Sequence, residues 1–433
     1  MAHDTFEMEM PVRRLEGIPN PVKTAIAVLL GVGGLALVGA FLTDPTRAWR
    51  AYLFNWLFWA SLAQGGVMLA AAVTMTRGVW ARPVRRIALS FVAFVPISFL
   101  LLLPLLFFGG ESIFPWYGHD LHGKEAYLNM PFLTVRNIVL MGALTVLSLS
   151  YAYWAIRPDA GLLRDKVPER LRGLYGRLTQ GWSGQEAEEA KATKRLAVLG
   201  PILGLTWAVA FSVVAWDFVM SLEEHWYSTL IGPYYFMAGF LGAIALTAVL
   251  TSTYRSKLGL EGVIEGPQFH DLGKLTFAFA IFWTYLLWSQ YIVIWYGMLP
   301  WEQTFLVHRM QAPFAVLFAA VFIFLFVLPF ALLLGIAPKR SPKMLSTVAA
   351  IVLVGLWLER YVLVYPSYYH GADSLPLGWQ EIGMALPFAG LFLLALMAFA
   401  TRFPIIQLWQ PLADEALLGS TEEPPGTAAV TAE

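Results

Sequence analysis

Cysteine is absent from all 433 residues. The chain therefore cannot build a disulfide, a thiolate zinc site, a cysteine-ligated iron–sulfur cluster or a CxxCH haem attachment. Any electrons that pass near it are carried by another molecule. Charge is scarce as well. Only 13% of the residues are Asp, Glu, Lys or Arg, about half the share of an ordinary soluble domain, which excludes a soluble globular enzyme. The 29 basic residues balance 29 acidic ones, so there is no net field to attract nucleic acid or an acidic partner. Strand periodicity is missing too.

What fills the chain is apolar: 58% of it is hydrophobic, gathered into ten runs at 23–42, 51–75, 87–108, 132–156, 196–220, 230–253, 272–297, 312–336, 345–365 and 381–401. Each is about the length that crosses a hydrocarbon core of about 30 Å at about 1.5 Å per residue. With no strand pattern, helices are the spanning structure that satisfies every backbone group. The expected fold is an all-α polytopic membrane protein of ten transmembrane helices over 23–401, between an amino-terminal segment, 1–22, and a tail, 402–433. Pro96 and Pro104 are read as kinks within the third helix. The first run ends in small residues that resemble a signal-peptide cleavage site, but its length and the preceding Glu7, Glu9 and Glu16 favour a retained helix.

The long connection 157–195 carries Leu163, Val167, Leu171, Leu174 and Leu178 at helical spacing. This predicts an amphipathic helix on the membrane interface, followed by a solvated linker over 181–194. The tail beyond Ala413, with Pro424 and Pro425, reads as disordered. When the spans alternate, 23 basic residues fall on the side of the termini and only Arg47, Arg50, Lys124 and Arg309 on the other. By the positive-inside rule both termini face the cytoplasm.

The polar chemistry is weighted to the opposite, outer side. His119, His122, His225, His308 and His370 lie there with Glu111, Asp120, Glu125, Glu223, Glu224, Glu302 and Asp373, whereas His3 and His270 are cytoplasmic. Histidines at or beyond helix ends do not suit a bundle-bound haem b. The set His119, Asp120 and His122 lacks a fourth ligand at metal-site spacing and reads as a polar loop.

Ionisable residues inside spans need a reason, because each costs about 2.5–3.5 kcal/mol at a helix centre. If the fifth helix continues past Asp217, then Ser221, Glu224 and His225 share its face, a polar stripe about 12 Å long. These four are the expected proton pathway. Arg136, Glu359 and Arg360 are the counter-charges on it, with a purely structural ion pair the other reading for Glu359 and Arg360. Trp207, Trp216, Trp226, Trp283, Trp288, Trp295 and Trp301 suit an interfacial belt, and some are placed to flank a flat ring such as a quinone.

Residues 216–239 read WDFVMSLEEHWYSTLIGPYYFMAG and residues 288–309 read WSQYIVIWYGMLPWEQTFLVHR. Both resemble motifs of the large membrane subunits of alternative complex III, within the NrfD and polysulfide-reductase membrane-subunit superfamily. Of the two related ten-helix subunits, the match is nearer to the ActF type than to the ActC type. Asp217, His225, Tyr227, Ser228, Gln290, His308 and Arg309 match directly. Glu224 stands where that family has proline, and MLPW at 298–301 replaces N-x-P-E, with Glu302 one position on.

The resemblance implies two four-helix bundles flanked by two peripheral helices, in a bacterial inner membrane. It implies partners: a sister ten-helix subunit, an iron–sulfur protein, multihaem and monohaem cytochromes c, membrane lipid and a terminal oxidase. It implies a role in passing electrons from quinol to a c-type cytochrome, with the iron–sulfur clusters and haem c held by the partners. Quinone or quinol is then the candidate ligand of this chain, at an outer site of Tyr227, Gln290, Glu302, His308 and Arg309. The alternatives are the membrane anchor of a molybdopterin oxidoreductase and a secondary transporter. No pair of Gly/Pro-broken spans in corresponding halves favours the transporter.

Overall fold

The structure is a computed structural model that describes residues 12–121 and 123–410. Ten helices in it are long and apolar enough to cross a membrane: α1 (Asn20–Thr43), α2 (Pro45–Met75), α3 (Val79–Phe108), α4 (Met130–Leu163), α5 (Gln185–Leu222), α6 (Ile231–Lys257), α7 (Gly266–Gly297), α8 (Ala315–Leu332), α9 (Pro342–Val364) and α10 (Trp379–Ala400). No strand occurs among the described residues. The protein is an all-α polytopic membrane protein.

Local chemistry sets the helix ends. Asp44, Asn129 and Ser341 precede α2, α4 and α9, and their side chains accept from the backbone N–H groups of Arg47, Phe132 and Met344. Each is followed by a proline in the first turn, where no N–H is needed. Gly259 closes α6 in the left-handed conformation at φ 63°, which a residue without Cβ adopts freely. In α3 the expected kink takes the form of a 3₁₀ segment, Ser90–Phe94, just before Pro96, while Pro104 sits inside a continuous helix. Proline deprives the preceding turn of a donor and crowds it, and the backbone tightens there. In α8 the turn before Pro329, Ile323–Val327, widens into a π-type turn instead.

The helices α2 to α5 pack around one another, as do α6 to α9, with α1 on α10 and α10 on α2 and α3 at the periphery. The two four-helix bundles meet along α2 and α6. A Cβ on Gly65 would lie 2.7 Å from the Gly239 carbonyl oxygen, and one on Gly239 would lie 2.7 Å from Ser61 Cβ. Where lipid is as apolar as the side chains, close backbone approach of this kind supplies the dispersion contact that holds helices together.

The amide of Leu15 donates to Ala400 O at 3.1 Å and that of Ile405 to Arg13 O at 2.9 Å. The described amino- and carboxy-terminal segments therefore lie at one end of the bundle, the terminal face, as the even helix number demands. Residues 1–11 and the tail beyond Ala413 lie outside the described residues.

The 157–195 connection departs from expectation. Its helix, Glu169–Leu178, buries Leu171 and Tyr175 against Ala160, Leu163 and Val167, with Phe403 and Leu408 beside them. The apolar stripe faces protein rather than lipid because the carboxy-terminal segment offers it an apolar partner. The presumed linker is also partly helical, since α5 starts at Gln185. The cause is Arg157, whose guanidinium is buried and takes Glu188 at 2.6 and 3.1 Å, drawing residues 185–194 onto the bundle.

Candidate functional site

Asp217 is fully buried on α5, one residue before the α-helix ends at Phe218. Arg136 of α4 grips it with both arms of its guanidinium, Nη2 donating to Oδ1 at 2.5 Å and Nε to Oδ2 at 2.8 Å. Asn137 donates a third hydrogen bond, 2.5 Å to Oδ2, and the Tyr127 hydroxyl a fourth, 3.2 Å to Oδ1. Arg136 stays in place because its Nη1 donates to Tyr127 O and its guanidinium lies 3.9 Å over the Tyr127 ring. Both carboxylate oxygens are thus fully bonded, and the charge is matched by an equal one.

The polar stripe expected beyond Asp217 does not continue. The α-helix ends at Phe218 and a 3₁₀ turn, Met220–Leu222, follows, so residues 217, 221, 224 and 225 no longer share a face. Ser221 stays beside Asp217, donating to its carbonyl oxygen at 2.5 Å. Glu224 and His225 swing outward with side chains 40% and 67% exposed, paired to each other at 3.1 Å. Tyr227 is exposed as well.

The same turn carries Glu223 inward instead. Its Oε1 lies 3.1 Å from His308 Nδ1 and 3.6 Å from Arg309 Nη1. The His308 ring stacks on His370 at 4.2 Å with an interplanar angle of 7°. Arg309 is buried on the helix Pro300–Met310 and donates to Phe305 O, Leu363 O and Ser367 Oγ. Phe305 stacks on Trp226 at 3.6 Å, and the Arg309 guanidinium lies 3.6 Å over the same ring. Burial opposes ionisation of Glu223, but Arg309 and His308 outweigh it and hold the carboxyl below its ordinary range. Burial lowers Arg309 to about 10, against the pull of Glu223, so both are charged at neutral pH. Glu302 opens the same helix in a half-buried position.

Deeper in the membrane, Glu359 and Arg360 pair with each other, Arg360 Nη1 donating to Oε2 at 2.5 Å and Nη2 to Tyr235 O at 2.9 Å. A cavity of about 30 Å³ borders Glu359, Tyr234, Trp283, Gln290 and Arg309. Leu287, Leu306 and Phe318 line it too, and the same three residues border an adjoining apolar groove of about 450 Å³ with Trp288, Tyr291, Met310 and Phe322.

An opening of about 410 Å³ lies at the far face, opposite the termini, lined by Lys124, Tyr127, Ser221, Glu223, Glu224 and Tyr227 among others. It touches both buried clusters, through Tyr127 and Ser221 beside Asp217 and through Glu223 beside Arg309. His119 lies exposed in the loop that precedes α4, and His122 lies outside the described residues.

The structure therefore brings together Arg136, Asp217 and Ser221 in one group, and Gln290, His308, Arg309 and Glu359 around another; Glu224 and Tyr227 line the far-face opening, His225 pairs with Glu224, and Glu302 stands apart at the start of the helix Pro300–Met310. Asn137, Tyr127, Tyr234 and Glu223 complete these groups. The residue pattern points to Glu223 only as one of several outer acids, and to the other three not at all. Which glutamate of Glu223 and Glu224 turns inward depends on the turn after Phe218. No protein-family model matches the chain, and no curated protein sequence matches it.

Proposed function

We propose that this chain is an integral membrane subunit of a respiratory quinol:cytochrome c oxidoreductase of the alternative complex III type, and that its part is to release protons at the far face. In this reading the chain sits in a bacterial inner membrane with its termini in the cytoplasm, and a sister ten-helix subunit, an iron–sulfur protein and c-type cytochromes handle the electrons. The two sequence segments at 216–239 and 288–309 support the family, and the pairing of two four-helix bundles agrees with it. The observation that carries the proton role is the opening of about 410 Å³ onto which both buried ionic groups converge. Glu223 stands between that opening and Arg309.

A quinone ring would find stacking partners in the groove of Trp288 and Tyr291. Gln290 and Arg309, the polar groups that would fix its oxygens, line the adjoining smaller cavity and not the groove itself. The groove alone offers stacking without a polar anchor, so in this reading the principal quinol site belongs to the sister subunit.

The test is to isolate the chain with its natural partners, establish haem and iron content, and measure quinol-driven cytochrome c reduction with proton release in vesicles. Glu223→Gln should lower proton release per electron in the complex that assembles, normalised to its haem content, while Glu224→Gln, at the rim, changes little. Unaltered proton release in Glu223→Gln would remove the role, and a preparation without haem or iron partners would remove the complex.

A further inference from the structure

Five acidic side chains are buried among the described residues: Asp159, Glu188, Asp217, Glu359 and Glu381. Four of them have both oxygens bonded. Asp159 takes Arg86 on one and the amides of Leu408 and Trp409 on the other. Glu188 takes Arg157 on both and Ser183 besides. Asp217 is closed by Arg136, Asn137 and Tyr127. Glu381 is closed by Arg47, Tyr365 and the amide of Gly378. Glu359 is different: Oε2 holds Arg360, and Oε1 makes no hydrogen bond to protein.

Oε1 is not the sole orphan there. Trp283 Nε1, Gln290 Oε1 and Arg309 Nε are also buried without a hydrogen-bond partner, and all four residues line the cavity of about 30 Å³. Their side chains are at least nine-tenths covered, with residue exposures of 1%, 6%, 2% and 2% for Trp283, Gln290, Arg309 and Glu359. The Tyr234 hydroxyl and the Trp283 indole N–H both lie close enough to Glu359 to act as weak donors toward it, yet neither meets the geometry of a direct bond to Oε1. Buried polar atoms are normally satisfied, so a cluster of orphans on one cavity calls for a ligand.

The chemistry of the four atoms selects that ligand. Two are donors, the indole N–H and the guanidinium Nε–H, and two are acceptors, the amide and carboxylate oxygens. A cation would be repelled by the donors, with Arg360 close behind, and an anion by the acceptors. Water donates two hydrogen bonds and accepts two. One water needs roughly 10–15 Å³ of such space, so the cavity has room for one or two.

We infer that the cavity bordered by α6, α7, α8, α9 and the helix Pro300–Met310 is a fixed water site, and that its water hydrates Glu359 Oε1, the one carboxylate oxygen left open among the five buried acids of the described residues. The water site stands on geometry alone. Its further use, exchanging a proton between Glu359 and water on the way toward Glu223, rests on the proton-release reading above, and only O–H bonds are made and broken in it.

A high-resolution density map of the unmodified full chain, purified with its partners, tests the site directly. The expected result is a solvent peak within hydrogen-bonding distance of Glu359 Oε1 and at least one of the other three atoms, unchanged when sodium is replaced by potassium. Trp283→Phe keeps the ring and removes the donor, and Gln290→Leu removes an acceptor; each should weaken or abolish the peak. The inference is overturned if Oε1 bonds directly to Trp283 with no solvent peak, or if the peak follows the choice of cation. Infrared spectroscopy of the Glu359 carboxyl, identified by its loss in Glu359→Gln, should show hydrogen–deuterium exchange slowed in Gln290→Leu; unchanged exchange in a folded Gln290→Leu protein that has lost the peak would overturn the proton use. A peak present with proton release unaltered in Glu223→Gln sinks the functional reading and leaves the water site. Absence of the peak with release impaired in Glu223→Gln does the reverse.

Discussion

A carboxylate placed among apolar helices needs donors for both oxygens, a matching charge or contact with water. Asp217 accepts four hydrogen bonds, two of them from a bidentate arginine, an arrangement that fixes geometry and leaves no oxygen free to receive a proton. Its removal is accordingly a stability experiment. Asp217→Asn leaves Arg136, 9% exposed at its side chain, without its counter-charge, and removing one partner of a buried pair costs about 3–5 kcal/mol. Near a helix end and over the Tyr127 ring, Arg136 keeps some compensation, so we expect about 3 kcal/mol by detergent or thermal unfolding. Pairing it with Arg136→Met should recover most of that loss. Full stability in Asp217→Asn together with lost proton release would return Asp217 to the pathway. That Asp217 needed a partner was legible from its place in an apolar run, and Arg136 was among the candidates. Which role the pair plays was not, because it depends on Asn137 and Tyr127 closing the remaining lone pairs.

At the scale of the element, each helix was legible from hydrophobic run and length, and its ends from Asp44, Asn129, Ser341 and Gly259. Faces were harder to read. The leucine stripe of Glu169–Leu178 has the periodicity of an interfacial helix, but periodicity states that a face is apolar and not what covers it. Here Phe403 and Leu408 compete with lipid. The stripe from Asp217 to His225 failed for a related reason: it assumed one more helical turn, and Val219 leaves the helix with φ −125°. The crossing of α2 and α6 offers an element-scale test. Gly239→Leu places atoms where Ser61 Cβ would already lie 2.7 Å from a Cβ, so the bundles must part. Overpacking costs about 1–3 kcal/mol in ordinary cores, and at a backbone contact between two helices we expect more, read as loss of the folded, monodisperse protein in detergent. Gly34→Ala, with nothing within 4 Å of the new atom, should be silent. Equal behaviour of the two would deny that the α2–α6 contact holds the bundles together.

For the whole molecule, the direction of any proton release depends on which face looks outward. The 23 to 4 division of basic residues predicts that the terminal face is cytoplasmic. A chain without cysteine makes the check simple. Ser374→Cys, exposed at the far face, should react with a membrane-impermeant maleimide on intact cells, and Gly262→Cys, exposed in the α6–α7 connection, only after permeabilisation. The opposite pattern would turn the opening of about 410 Å³ toward the cytoplasm and end the proposal of outward discharge.

The sequence by itself determined the class of molecule, the number of its spans and which charges are costly, because those follow from transfer free energies that act on each residue and each run separately. It could not determine which buried acids are closed and which one keeps an open oxygen. That was decided by tertiary structure, since hydrogen-bond satisfaction is a property of several helices meeting at one point: α4 and the loop before it surround Asp217, whereas α6, α7 and the helix Pro300–Met310 leave a gap beside Glu359.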